Sequence, residues 1–229
     1  MSRREHVATA ARRLATEGLL VGTAGNVSVR DGDRIVVTAT GVVLRDCTAE
    51  QVSVVTRTGE VVEGSLLPTS ELDLHLNVYD ATDAAAVVHT HAPYSTAVGC
   101  VLDELPVIHY QHLLLGGTIR VAPYATFGTP ELAANVRDAL ADRQAALMAN
   151  HGSVAIGGSL EKAVDHALLL EWLATLHHRA SALGTPTTLT DEEQADVITQ
   201  ALQRNYGTTS RVNGDSNNPT PRSSTQEKS

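Results

Sequence analysis

The chain has 229 residues, 42% of them hydrophobic, with 17 basic against 26 acidic side chains and a formal net charge of -9. That composition supplies one substantial buried core, and the acidic balance, with a pI near 5.5, excludes a broad basic surface for nucleic acid or an anionic membrane while leaving room for a local phosphate pocket. No apolar run reaches the roughly 20 residues of a membrane helix, the Met1-Ser2-Arg3-Arg4 start is no signal peptide, and Cys47 and Cys100 are isolated, so a reducing cytoplasm is the expected compartment.

From about His6 to Gly18, the positions Val7, Ala10, Ala11, Leu14 and Ala15 follow the spacing of an amphipathic helix, with Gly18 as its stop. Asn26 to Arg30, an Asp31-Gly32-Asp33 turn and Arg34 to Thr38 read as a hairpin. Val52 to Thr56 and Val61 to Glu63 read as two more strands around Thr58-Gly59. Pro68-Thr69-Ser70-Glu71 reads as a helix start, with a hydroxyl cap, an acid in the first turn and apolar positions onward to about Tyr79. Ala85 to Thr90 is a strand, Ser95 to Gly99 a short helix and Val107-Ile108-His109 a further strand. Helices follow over Pro130 to Ala141 and Leu160 to Gly184, separated by strands at Ala146 to Ala149 and Ser153 to Ile156. A last helix starts at Asp191 and runs to about Tyr206. The order of elements predicts an α/β fold in one domain over residues 1–207, and the Ser-, Thr-, Asn- and Pro-rich tail over 208–229 is expected to be disordered.

Within AVVHTHAPYSTAV, His89 and His91 are two apart at the end of a strand, so their rings lie on one side with Thr90 turned away, and one metal ion can be reached by both. Two buried imidazoles would otherwise need two sets of hydrogen-bond partners. A third histidine is offered by Asn150-His151-Gly152, a tight turn between strands, and a carboxylate by Glu71. Three nitrogens and one oxygen suit a catalytic zinc that can open a position for substrate. His75, four residues after Glu71 on the same helix, is read first as packing and second as a support for that site. His109 and His112 read as core or interface residues, His177 and His178 as solvent-facing, and Trp172 as part of the buried face of the long helix.

The set GTAGNVSVR, PTSE, HTH, IHY, APYATFGT and NHG, in this order between Gly22 and Gly152, resembles the class II, zinc-dependent aldolase family typified by L-fuculose-1-phosphate aldolase. The resemblance spans the first helix to Tyr206-Gly207 and implies a class II aldolase/adducin-head fold, a central mainly antiparallel β-sheet flanked by helices. It implies Zn2+ on His89, His91, His151 and Glu71, and makes Glu71 the base on the substrate carbon. By the same resemblance, Tyr110 reaches a neighbouring subunit's site in a homotetramer and handles the proton on the aldehyde-side oxygen. Asn26, Thr40, Gly41, Thr69 and Ser70 correspond to phosphate-binding positions, with Thr23 in the same loop, Phe127 in the wall and Tyr206 as an aromatic that closes over the site. The implied substrate is a phosphorylated sugar, cleaved to dihydroxyacetone phosphate and an aldehyde, with no nucleic-acid or membrane partner.

On the residues alone, Asn26 and Thr40-Gly41 read as turn residues, Thr69 and Ser70 equally as helix caps, and Tyr110 as a core tyrosine. A glutamate at position 71 favours an aldolase over the pentulose-phosphate 4-epimerases of the same family, which carry aspartate there. A 5-deoxyribulose-1-phosphate aldolase, a methylthioribulose-1-phosphate dehydratase and a sugar-acid phosphate decarboxylase fit the same scaffold. Thr69 departs from the serine of the family motif but keeps the hydroxyl. A metal-free, adducin-like scaffold is the competing non-enzymatic reading, and the four ligand-type residues speak against it.

Overall fold

The computed structural model describes residues 1–204 and 206 of the chain. Its elements follow as α1 (Arg3–Thr16), β1 (Asn26–Asp31), β2 (Arg34–Thr38), β3 (Val52–Thr56), β4 (Val61–Glu63), α2 (Leu72–Ala81), β5 (Ala86–Thr90), α3 (Pro93–Gly99), β6 (Glu104–Leu105), β7 (Ile119–Ala122), α4 (Pro130–Ala139), β8 (Ala145–Met148), β9 (Gly152–Gly157), α5 (Leu160–Leu183) and α6 (Asp191–Gln203). The strands form one sheet in the order β4-β3-β2-β1-β5-β9-β8-β7-β6, antiparallel throughout except for the β7–β8 pair.

Side-chain alternation decides which residues share a layer. Val27, Val29, Val36, Val54, Val88 and Ala155 face one way and pack with Val7, Leu14, Val98, Leu170 and Leu173 of α1, α3 and α5. Ile35, Val37, Val55, Val87, Val154 and Ile156 face the other way, against Leu74, Val78, Leu132 and Val136 of α2 and α4. A single domain with a mixed, mostly antiparallel sheet covered on both faces is the result, in agreement with the expected fold class. No helix among the described residues is long and apolar enough to cross a membrane.

Three sequence expectations need correction. Val107 to His109 is not a strand: it follows Pro106, Val107 O accepts from Leu189 N, and a 3-10 helix begins at Tyr110 with the His109 ring accepting from Gln111 N. The helix foreseen from Pro68 starts at Leu72, because Pro68 and Thr69 continue alongside the end of β2, with Thr69 N donating to Thr38 O. Trp172 is 45% exposed rather than buried, its ring standing edge-on to His109. Strands β6 and β7 went unread because two and four residues carry too little periodicity, and β7 finds its parallel partner only after α4. The expected tail over 208–229 lies outside the described residues.

Candidate metal centre and substrate cleft

The centre of the sheet delivers the histidines. β5 is buried along its whole length between β1 and β9, and its register sets His89 beside Asn26 on one side and Val154 on the other. Thr90 turns to the opposite layer, where its hydroxyl meets Ser153 Oγ at 2.9 Å. His91 leaves the strand and bends back, so that its Nε2 lies 2.9 Å from His89 Nε2. His151 comes from the β8–β9 turn, where Asn150 takes the left-handed conformation at φ 55 that an asparagine tolerates better than most residues. The three ring centroids stand 4.8–5.0 Å apart, and one nitrogen from each falls within 4.8 Å of the others.

Gly152 makes this convergence possible. A Cβ there would run into the Thr90 carbonyl and approach the His91 and His89 rings at 3.2 and 3.3 Å. The requirement is space behind the rings, since its backbone is not in the left-handed region.

Glu71 sits at the N-cap position of α2, 7% exposed, and faces the cluster. Its Oε2 lies 3.1 Å from His89 Nε2 and its Oε1 3.4 Å from His151 Nε2. Burial opposes its charged form, but His89, the Asn26 amide and His151 outweigh that cost and hold the carboxyl well below the usual carboxylate range. Burial, reinforced by His89 and His151, pushes His91 down to about 4, and burial with His89 also lowers His151.

This donor set fits a divalent cation. His89 Nδ1 lies 2.9 Å from the carbonyl of Ser153, which can only accept, so the proton sits on Nδ1 and the Nε2 lone pair points inward. That lone pair confronts a carboxylate oxygen and a second imidazole nitrogen. Glu71 Oε1 is buried with no hydrogen-bond partner among the described residues. Inward lone pairs at such distances repel unless a proton or a cation lies among them, and neutral imidazoles with a carboxylate are the ligands such a cation takes.

A cleft of about 290 Å³ opens in front of this cluster. His91, His151 and Glu71 line it together with Thr23, Asn26, Thr40, Gly41, Thr69, Ser70 and Phe127. The pairing of Ala39 with Pro68, and of Thr40 N with Leu67 O, is what carries Thr40-Gly41 alongside Thr69-Ser70. Among the described residues, no lysine or arginine lines it. Tyr124 and Asn150 line the cleft as well and were not singled out from sequence; the left-handed turn that an Asn-His-Gly run favours is the signal for Asn150.

Two expected site residues are elsewhere. Tyr110 and Tyr206 meet through their hydroxyls at 3.1 Å and line a separate apolar groove with Leu113, Leu114, Ile198 and Leu202. Asn26 is placed at the cleft, but its side chain is spent on buried partners: Nδ2 donates to Glu71 Oε2 at 3.0 Å, and Oδ1 faces His75 Nε2 at 2.5 Å.

Residues 5–178 match the family described as Class II Aldolase and Adducin N-terminal domain. The chain is 40% identical over 192 residues to an L-fuculose phosphate aldolase of Escherichia coli, covering 83% of this chain and 88% of that protein. It is 34% identical over 197 residues to a 5-deoxy-D-ribulose 1-phosphate aldolase of Bacillus thuringiensis serovar kurstaki, covering 85% and 92%. Among solved structures, an L-fuculose 1-phosphate aldolase superposes with a TM-score of 0.83 at 34% identity, covering 86% of this chain and 95% of that one.

Proposed function

The chain belongs to the class II aldolase and adducin N-terminal domain family as an enzyme, and on that premise we propose that it catalyses reversible retro-aldol cleavage of a deoxyketose 1-phosphate to dihydroxyacetone phosphate and an aldehyde. L-Fuculose 1-phosphate, giving L-lactaldehyde, is the leading substrate. The observation that carries the reading is one cleft lined both by members of the metal-type cluster and by hydroxyl and glycine residues.

His89, His91, His151 and Glu71 would hold the ion, for which three imidazoles favour zinc; when bound it supplies a Lewis acid for the charge that develops as C3 and C4 separate. Glu71, anionic and among the residues that line the cleft, takes the proton from the carbon beside the carbonyl in the condensing direction and returns it in cleavage. Thr40, Thr69 and Ser70 hold the phosphate through their hydroxyls, which agrees with a rim on which none of the described residues is lysine or arginine. Phe127, 64% exposed, offers an apolar wall. Tyr110 and Tyr206 lie outside their own chain's cleft, which supports a homotetramer in which Tyr110 serves a neighbour's site and exchanges the proton of the aldehyde oxygen. The cytoplasm is the matching compartment.

A second reading is supported by the similarity to a 5-deoxy-D-ribulose 1-phosphate aldolase: the same residues would cleave a 5-deoxypentulose 1-phosphate. Purified protein should carry about one zinc per chain, and a panel of fuculose, rhamnulose, 5-deoxyribulose and ribulose phosphates should release dihydroxyacetone phosphate from at least one deoxyketose. Epimerisation of ribulose 5-phosphate with no release from any of the panel would refute the cleavage reaction.

A further inference from the structure

Behind Glu71 runs a chain of polar side chains shut between β1 and α2. Asn26 and Ser28 point from β1 to the layer of α2, since Val27 and Val29 between and beyond them join the opposite cluster. α2 answers with His75 and Tyr79 on its buried face. Tyr79 OH lies 2.7 Å from Ser28 Oγ, Ser28 Oγ 2.7 Å from His75 Nδ1, His75 Nε2 2.5 Å from Asn26 Oδ1, and Asn26 Nδ2 3.0 Å from Glu71 Oε2. Ser28 and His75 are fully buried, Tyr79 is 3% exposed and Asn26 4%.

Chemistry allows one direction along this chain. The Glu71 carboxylate only accepts, so the Asn26 NH2 faces it and the Asn26 carbonyl faces His75. A carbonyl only accepts, so His75 carries its proton on Nε2. Its bare Nδ1 then accepts from the Ser28 hydroxyl, whose oxygen accepts from Tyr79. Every donor points toward Glu71.

We propose that His75 is a positioning residue of the aldolase site: held in the Nε2–H tautomer by Ser28 and Tyr79, it locks the Asn26 amide so that one lone pair of Glu71 Oε2 always accepts from a donor and the carboxylate is fixed in its place between His89 and His151. In the other tautomer His75 would present a lone pair to the Asn26 carbonyl. The amide would turn over, and its oxygen would face the carboxylate and push Glu71 from its place between His89 and His151. The proposal rests on the cleavage reading for its benefit to catalysis, but the tautomer itself does not.

The first measurement is ring-nitrogen NMR on uniformly 15N-labelled protein, with His75 assigned by its loss in His75→Gln. One Nε2–H tautomer is expected, with and without added Zn2+; an Nδ1–H tautomer, or a mixture in the wild type, overturns the proposal. The second compares variants by Zn2+ competition with a chromophoric chelator and by kcat and KM. Ser28→Ala removes one oxygen without adding volume, and should release His75 into a tautomer mixture and weaken Zn2+ affinity and kcat by about 10–100-fold with little change in KM. His75→Gln, whose amide keeps an N–H for Asn26, should stay close to wild type, and His75→Leu should match Ser28→Ala. In a Glu71→Gln background Ser28→Ala should cost no further Zn2+ affinity, because a glutamine accepts either face of the Asn26 amide. Wild-type affinity and turnover in Ser28→Ala, or losses in His75→Gln as large as in His75→Leu, would overturn the positioning role. If no sugar phosphate is cleaved by the wild type, the proposed reaction fails while the tautomer and the Zn2+ affinities still decide the role of His75.

Discussion

Glu71 shows how a single side chain acquires its chemistry from its surroundings. In water it is an ordinary carboxylate; here burial is outweighed by the histidines and by Asn26, and the group stays charged among the residues that line the cleft. Glu71→Gln keeps the shape and an acceptor for Asn26 but has no basic oxygen. It should fold with an unchanged circular dichroism spectrum and lose roughly 10²–10⁴-fold in kcat; retained turnover would remove Glu71 from the proton transfer. Gly152 is the opposite case, important for what it lacks. Gly152→Ala places a methyl against the Thr90 carbonyl and both rings, and should cost roughly 1–3 kcal/mol in urea melts along with loss of bound zinc. The H-x-H pair and Glu71 could be read as ligands from residue type and spacing. That Asn26 is shared between the cleft, Glu71 and His75 could not, because a lone asparagine before a strand has the same local signature as any turn residue.

At the scale of elements, α3 follows closely on His91 and is anchored from α5. Its first turn is capped from outside: Glu171 of α5 accepts from Tyr94 N at 2.9 Å through Oε1 and from Ser95 N at 2.8 Å through Oε2. A carboxylate across two orphan N–H groups at a helix start is stabilised by both charge and dipole. Glu171→Ala should therefore cost roughly 1–3 kcal/mol in chemical denaturation and loosen His91, with faster zinc loss to a chelator than the wild type. Unchanged zinc retention would show that His91 is held without α3. The same scale explains the mistaken helix start at Pro68: hydroxyl and acidic residues signal a cap locally, but pairing of this segment with the end of β2 wins, and it delays the helix until Glu71 faces the histidines.

For the molecule as a whole, folding hides histidines that an unfolded chain would leave free. Burial pushes His75 down to about 3 and His112 down to about 4, whereas an unfolded histidine titrates near about 6.5. Below that value the unfolded chain binds protons that the folded chain does not, so stability falls as pH drops from about 6.5 toward 4, by roughly 1.4 kcal/mol per pH unit for each ring. Glu71, shifted the other way, adds its own loss only as pH falls below its ordinary value of 4.5. Urea midpoints of metal-stripped protein should decline steadily from pH 7 to pH 5, and a flat profile would contradict neutral burial of the two rings. The sequence by itself determined the α/β order of elements, the strands and helices that have enough length to show a period, and the His89–His91 pair at a strand end, because residue type and spacing are local quantities; His151 and Glu71, distant in sequence, joined that pair as candidates through the family motifs. Only the tertiary structure decided that His89 turns its Nδ1 to Ser153, that Asn26 joins Glu71 to a buried relay, and that Tyr110 and Tyr206 share a groove apart from their own cleft. Those outcomes depend on sheet register and on which helix covers which face, and strands paired from distant parts of the chain carry no local mark of their partners.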